Sequence, residues 1–205
     1  MSKTVLYMSV SLDGFAAGPN ESKDHGLGDG GLRLHEWMNH PHGPTGTNKT
    51  VWDAFMSTGA VVGGRRLYDM TGGWGNDHHD GVPLFWVVRD PSTYMDHAAP
   101  NVMFLDDITE AMTRAKAAAG DRDVLVHGVG VTRLALAAGV LDELCISVVP
   151  VLFGSGQPLF DGLGHHHTEL ERLRTVEGED GIIHLHYRVK GALSLSPSTT
   201  RGPEQ

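Results

Sequence analysis

Three segments join glycine or arginine to the end of an apolar run, and each has the means to hold a phosphate. In Val124-Leu-Val-His-Gly-Val-Gly-Val-Thr132 a strand-like run passes Gly128 and Gly130 and enters a helical pattern. A strand, a flexible turn and a helix start leave the backbone around Gly128, Val129, Gly130, Val131 and Thr132 with free N–H groups at the positive end of a helix dipole. The three-glycine dinucleotide fingerprint is not met, because its third position is Arg133. A plain tight turn is the competing reading. In Gly59–Asp69 the run Ala-Val-Val ends in Gly63-Gly64 and then Arg65-Arg66. Two guanidinium forks there could grip a phosphate bidentately, or lie solvated on a surface loop. Arg89 closes the apolar run Leu84–Val88, again as an anion ligand or a surface salt-bridge partner. All three features follow parallel-type strands, which places them on one sheet edge, where α/β folds bind their ligands.

Acid–base and metal candidates are fewer. Asp13, in Leu12-Asp-Gly14, could orient a substrate or supply a proton; an Asx-type turn is the alternative. The clusters His78-His79-Asp80 and His165–His167 suggest a metal only superficially. Adjacent loop residues rarely converge on one ion and no helical i,i+4 histidine pair is present, so both read as solvated surface and no metal site is expected. Cys145 sits between Leu144 and Ile146 and reads as a buried small hydrophobe.

The elements that must position these groups are legible from periodicity. Strand-like runs occur at Thr4–Val10, Ala60–Val62, Leu84–Val88, Val102–Leu105, Val124–His127, Leu144–Leu152, Leu170–Val176 and Ile182–Lys190. Helical patterns lie between several of them. One opens on Asp107-Ile-Thr-Glu110, runs through Ala111, Met112, Ala115, Ala118 and Ala119, and stops at Gly120. A second covers Val131 or Thr132 to Ala138, and a third Thr47 or Asn48 to Met56. This alternation predicts a largely parallel sheet with helices on both faces. Glu179-Asp180-Gly181 predicts a tight turn and a closing antiparallel hairpin. The stretch from Gly18 to Gly46, rich in Gly, Pro, Asn and His, is long for a structureless connection and is a candidate lid. Residues 191–205 have no periodicity and read as a disordered tail, leaving one domain over 1–190.

Composition narrows the function classes. With 16 Lys+Arg against 25 Asp+Glu, a net charge of −9, the chain lacks the basic footprint of a nucleic-acid binder. No run approaches the ~18 apolar residues of a membrane span, the start resembles no leader peptide, and a single cysteine suits a reducing compartment. A cytoplasmic protein acting on a small molecule is expected. The 27 glycines among 205 residues imply many sharp turns or close backbone approaches.

Taken in order, Met8-Ser-Val-Ser-Leu-Asp-Gly-Phe-Ala-Ala-Gly-Pro-Asn20, Val62-Gly-Gly-Arg-Arg-Leu-Tyr-Asp69, Gly73-Trp-Gly75, His127-Gly-Val-Gly130 and the run from Ala138 to Phe160 resemble the dihydrofolate reductase-like superfamily. The similar branch is the one related to the C-terminal reductase domain of the riboflavin-biosynthesis deaminase-reductase, and the likeness spans Lys3–Lys190. The resemblance implies an α/β, three-layer fold with a mostly parallel eight-stranded sheet, a C-terminal antiparallel hairpin and helices on both faces. It also implies a homodimer and an NADPH-dependent oxidoreductase. By the same resemblance Arg65, with Arg66 beside it, faces the adenosine 2′-phosphate and Arg89 the adenine-ribose side. Gly64 lies at that turn, Gly128–Thr132 hold the pyrophosphate, and Ala16, Ala17 and Gly18 cover the nicotinamide. The substrate side falls to the helix bearing Asn48, Trp52 and Phe55, whose two rings could stack on a flat ligand or simply pack in the core.

Three departures stand out. Folate-reducing members carry a carboxylate where this chain has Asn48, their glycine turn is a Gly-Gly pair with a cis bond where this chain reads His127-Gly128-Val129, and no deaminase zinc signature is present. The expected activity is hydride transfer to a C=N or C=O bond of a small heterocycle, pterin- or pyrimidine-like, with a non-catalytic nucleotide-binding sensor as the alternative.

Overall fold

The computed structural model of the 205-residue chain describes residues 2–39, 41–97, 99–163 and 167–193. Among the described residues ten strands form: β1 (Thr4–Ser11), β2 (Phe15–Ala17), β3 (Ala60–Gly64), β4 (Leu84–Val87), β5 (Val102–Leu105), β6 (Val124–His127), β7 (Glu143–Val149), β8 (Gln157–Pro158), β9 (His167–Glu177) and β10 (Ile183–Leu193). Among the same residues four α-helices join them: α1 (Gly46–Met56), α2 (Arg65–Thr71), α3 (Ile108–Ala119) and α4 (Val129–Ala137). Eight strands make one sheet in the order β5-β4-β3-β6-β1-β7-β10-β9. The pairings from β5 to β7 are parallel, while β10 runs antiparallel to both β7 and β9. The expected closing hairpin is therefore present, turning at Glu179–Gly181 with Asp180 at φ 60°.

The apolar runs are continuous because the parallel sheet is covered on both faces. Alternate residues divide between two cores. Val124 and Val126 of β6 and Ala60 and Val62 of β3 pack with Ala111, Met112 and Ala115 of α3 and Ala135 of α4. Leu125 and Val61 pack on the opposite face, with Phe55 of α1 and Leu67 of α2. The capping arrangement read for α3 forms as expected: the Glu110 N–H donates to Asp107 Oδ1 at 2.7 Å, a contact of about 1 kcal/mol. Gly63 of β3 has no Cβ because the ring of Trp86, 1% exposed, lies against it.

Several boundaries differ from expectation. β7 stops at Val149 because Pro150 has no N–H for the ladder. α4 begins at Val129, directly on Gly128, and β10 extends to Leu193, three residues into the presumed tail. Residues 194–205 lie outside the described residues. The stretch from Gly18 to Gly46 is ordered locally. It holds a 3-10 helix, Gly31–His35, whose Leu34 is fully buried, and it is cross-tied by Gly18 N–H to Leu27 C=O and Asp29 N–H to Pro19 C=O, both 2.8 Å. The short strands β2 and β8 pair with each other beside the main sheet. With three and two residues they are too brief to show a period in sequence.

Candidate active site

A cavity of about 770 Å³ opens between the sheet and α1, reaching the C-terminal ends of the central strands. That volume suits a small-molecule ligand. Its floor is one face of β1 and β7, where strand alternation brings up Tyr7 and Ser9 beside Cys145 and Ser147. Val51, Trp52, Phe55 and Met56 of α1 form one wall, and His35, Trp37 and Met38 of the Gly18–Gly46 segment another. The far end is closed by Trp74, His78 and His127. Gly73, Trp74 and Gly75 pass through consecutive left-handed conformations, at φ 62°, 51° and 63°. The non-glycine position there is unusual and is held by packing: the Trp74 ring lies 4.4 Å from His78 and 5.2 Å from Trp86. Trp52 stacks on Phe55 at 5.2 Å, and Tyr7 meets the edge of the Phe55 ring at 5.7 Å.

The open edge has different chemistry. α4 starts on Gly128, at φ 104°, and no side chain caps it. The first amides of the helix precede the earliest i→i−4 bond, from Thr132 N–H to Gly128 C=O. Gly128, Val129, Gly130 and Val131 line the cavity, and a side chain at Gly130 would meet nothing within 4 Å, so backbone is open to approach there. Gly64 and both arginines of α2 line the same mouth. Arg65 is paired with Asp69 one turn on. Arg66 spans the mouth, donating to Gln157 Oε1 at 2.9 Å and to Glu21 Oε2 at 2.6 Å. With Gly18, these three residues also border a hollow of about 330 Å³.

Burial governs the titratable groups. Desolvation, reinforced by neighbouring His79, lowers His78 from 6.5 to about 4. Desolvation, with His78 and His35 adding to it, lowers His127 to about 3. Burial also lowers His35 and raises the Cys145 thiol to about 12. The cavity imidazoles are therefore neutral at pH 7. Cys145 behaves as the small hydrophobe expected, and no group of three or more His, Cys, Asp or Glu among the described residues could hold a metal.

Most of the expected cofactor residues meet here: Ala17, Gly64, Arg65, Arg66 and Gly128–Val131 line the cavity, as do Trp52 and Phe55. Others do not. Thr132 is fully buried and its hydroxyl donates to Gly128 C=O at 2.8 Å, so it braces the turn and offers nothing to a ligand. Arg89 stands exposed just past β4, outside the cavity lining, with no partner among the described residues. Asp13, expected as a catalytic candidate, lies outside the cavity lining. Its carboxylate accepts from Ser11 Oγ at 2.6 Å, from Phe153 N–H and from Gly154 N–H at 2.7 Å, and it holds the loop after β7. Asn48, expected on the substrate side, is 2% exposed and outside the cavity lining, with Oδ1 accepting from His184 Nε2 at 2.9 Å. The peptide bonds of the described residues are all trans, that at Gly128 included.

The histidine pair was misread as solvated surface. His79 is 5% exposed, with Nε2 3.1 Å from the Thr58 carbonyl, and His78 lines the cavity. His165 and His166 lie outside the described residues, and His167 starts β9. Ser9, Ser147 and His127 were missed, although the strand period carried a signal for the serines. Each follows Tyr7 or Cys145 by two, placing a hydroxyl on an otherwise apolar face.

Comparison with known proteins agrees with this architecture. YwjB, an uncharacterized protein of Bacillus subtilis (strain 168), is 27% identical over 192 residues, covering 90% of this chain and 97% of its own. A putative riboflavin biosynthesis protein from Shewanella sp. PV-4 superposes with a TM-score of 0.66 at 21% identity, covering 93% of this chain and 99% of that one. Dihydrofolate reductase from Enterococcus faecalis, complexed with NADP(H) and RAB-propyl, superposes with a TM-score of 0.54 at 15% identity, over 91% and 96% of the two chains. The fold is thus dihydrofolate reductase-like. Residues 76–184, just over half the chain and including His78, the Gly128 turn and Ser147, match the RibD C-terminal domain, and the chain belongs to that family.

Proposed function

We propose that the protein is an NADPH-dependent reductase that delivers hydride to a C=N or C=O bond of a small heterocyclic substrate. The observation that carries the reading is the division of one cavity into an anion-binding mouth and an apolar, aromatic interior. The mouth suits the cofactor. An uncapped helix start with an open Gly130 and two lining arginines on a chain of net charge −9 are a local donor cluster for a ligand bearing several phosphates. In this reading the amides of Val129, Gly130 and Val131 hold the pyrophosphate, Arg65, with Arg66 beside it, meets the 2′-phosphate of the adenosine, and Arg89 at the adjacent strand end lies toward the adenine-ribose side. When bound, the cofactor supplies the hydride. The chain's own residues orient the substrate and exclude water from it, through Trp52, Phe55 and Trp74. Homodimeric assembly and a cytoplasmic setting belong to the same proposal.

A non-catalytic sensor is favoured by one feature. Among the described residues, the only carboxylate lining the cavity is Glu21, and it is tied to Arg66. Following NADPH oxidation across a panel of pterins, pyrimidines and cyclic imines separates the readings. Turnover of any one of them excludes the sensor; NADPH binding with no turnover across the panel excludes the reductase.

A further inference from the structure

At the far end of the cavity two adjacent histidines fix each other's ring hydrogens. Thr58, two residues past α1, is 1% exposed, and its hydroxyl donates to Phe55 C=O at 2.9 Å, so its hydrogen is committed. His79 Nε2 lies 3.1 Å from the Thr58 carbonyl oxygen and 3.2 Å from the Thr58 hydroxyl oxygen. Both can only accept from it, so Nε2 carries the hydrogen of the His79 ring. That ring is 5% exposed and bonded to no carboxylate among the described residues, which leaves it neutral and its Nδ1 bare. His78 Nδ1 stands 2.6 Å from His79 Nδ1, and two nitrogens this close share one hydrogen. It belongs to His78. Desolvation, with His79 adding to it and Asp77 opposing, keeps the His78 ring neutral at pH 7, so its other nitrogen, Nε2, holds a lone pair and no hydrogen.

That bare nitrogen is the end of the chain running from Thr58 through His79. It has no hydrogen-bond partner among the described residues and is not sealed off, unlike Nδ1 of neighbouring His127. The His78 ring lines the cavity, held 4.4 Å from Trp74, 5.4 Å from Phe55 and 5.9 Å from His127, centroid to centroid. The arginines of the cavity are engaged elsewhere, with Asp69 and Glu21. Packing alone does not call for this arrangement, because an aliphatic side chain would fill the same space between the rings without two imidazoles to satisfy behind it.

We infer that His78 Nε2 is a specificity-determining acceptor, taking a hydrogen from a neutral O–H or N–H on the ligand, and that His79 is a positioning residue that keeps that nitrogen bare. A ligand that turned an acceptor to the same place would set lone pair against lone pair. That the ligand is a substrate rests on the reductase reading above; the direction of the hydrogen bond does not.

The test uses cofactor-free protein, isotope-labelled at the histidine nitrogens, with phenol as a flat probe bearing one O–H donor and anisole as its match without one. Long-range proton–nitrogen NMR correlation of the free wild type should show His78 Nε2 and His79 Nδ1 as bare nitrogens, and His78 Nδ1 and His79 Nε2 as hydrogen-bearing ones. Phenol should shift the His78 Nε2 resonance and bind about fivefold more tightly than anisole, the weight of one neutral hydrogen bond. In His79→Leu the hydrogen of His78 should move to Nε2 and phenol should fall level with anisole. His79→Asn, whose carbonyl replaces the Nδ1 acceptor, should restore both the bare nitrogen and the preference for phenol, a rescue that a merely packing role would not produce. Should His79→Leu fail to fold, the wild type and His79→Asn still decide. A hydrogen on His78 Nε2 in the wild type, equal binding of phenol and anisole, no binding of phenol, or an undiminished phenol preference in His79→Leu overturns the inference. None of these readouts uses NADPH, so a failed cofactor titration removes the reductase reading alone, and a failed phenol pattern removes only the role of His78.

Discussion

Histidines in the cavity titrate far from where free imidazoles do, and this sets the pH behaviour of the protein. His78 takes a proton in the unfolded chain near pH 6.5 and in the folded one only near pH 4. Between these values the unfolded state binds more protons, so stability is full above pH 6.5 and declines as pH falls toward 4. For His78 alone the loss amounts to about 3 kcal/mol, from about 1.36 kcal/mol per pKa unit, and His127 acts in the same direction. His78→Asn should flatten the decline of the thermal midpoint between pH 6.5 and 4, as followed by circular dichroism; an unchanged slope would mean that the ring is solvated. Asp13 has the opposite sign. The Ser11 hydroxyl and the Phe153 and Gly154 amides hold its carboxyl below the usual range, so its contribution is present at neutral pH and lost on acidification. Asp13→Asn should lower the melting temperature at pH 7 and leave the pH dependence of turnover unchanged. A displaced pH–rate profile would return Asp13 to the chemistry.

At the scale of elements, the start of α4 is the critical piece. Gly130 lies inside a helix, where glycine costs roughly 1 kcal/mol relative to alanine, and an added methyl would touch no neighbour. A residue chosen for stability alone would be alanine. Gly130→Ala should therefore leave the melting temperature equal or higher while weakening NADPH at least fivefold by calorimetry, because the methyl occupies the approach to the helix amides; unchanged affinity would remove the pyrophosphate from this turn. This element was readable in sequence, since Gly128 and Gly130 followed a β-branched run. The parallel strands and the N-cap of α3 were readable for the same reason: each signal is local and periodic. The walls of the cavity were not. Trp37 and Leu34 lie in a stretch whose composition resembles a loop, and only tertiary packing against β1 and β7 shows that they are covered. Asn48 was placed correctly on α1, but the direction of its side chain depends on His184, 136 residues away.

For the whole molecule, the division of one cavity into a donor-rich mouth and an aromatic interior relates composition to function. The chain is acidic overall, and its two cavity arginines stand together at the mouth, each paired with a carboxylate. The homodimer proposal is checked by sedimentation velocity at micromolar concentration, where a sedimentation coefficient matching about 44 kDa supports it and one matching the 22.1 kDa chain contradicts it. The central claim is met most directly by calorimetric titration of the wild type and of Arg65→Ala with NADPH and with NADH. A guanidinium facing a phosphate contributes about 1.5–3 kcal/mol. The account predicts micromolar NADPH binding by the wild type, a loss of tenfold or more in Arg65→Ala, and little change for NADH, which lacks the 2′-phosphate. Absence of NADPH binding, or equal loss for both cofactors, would contradict it.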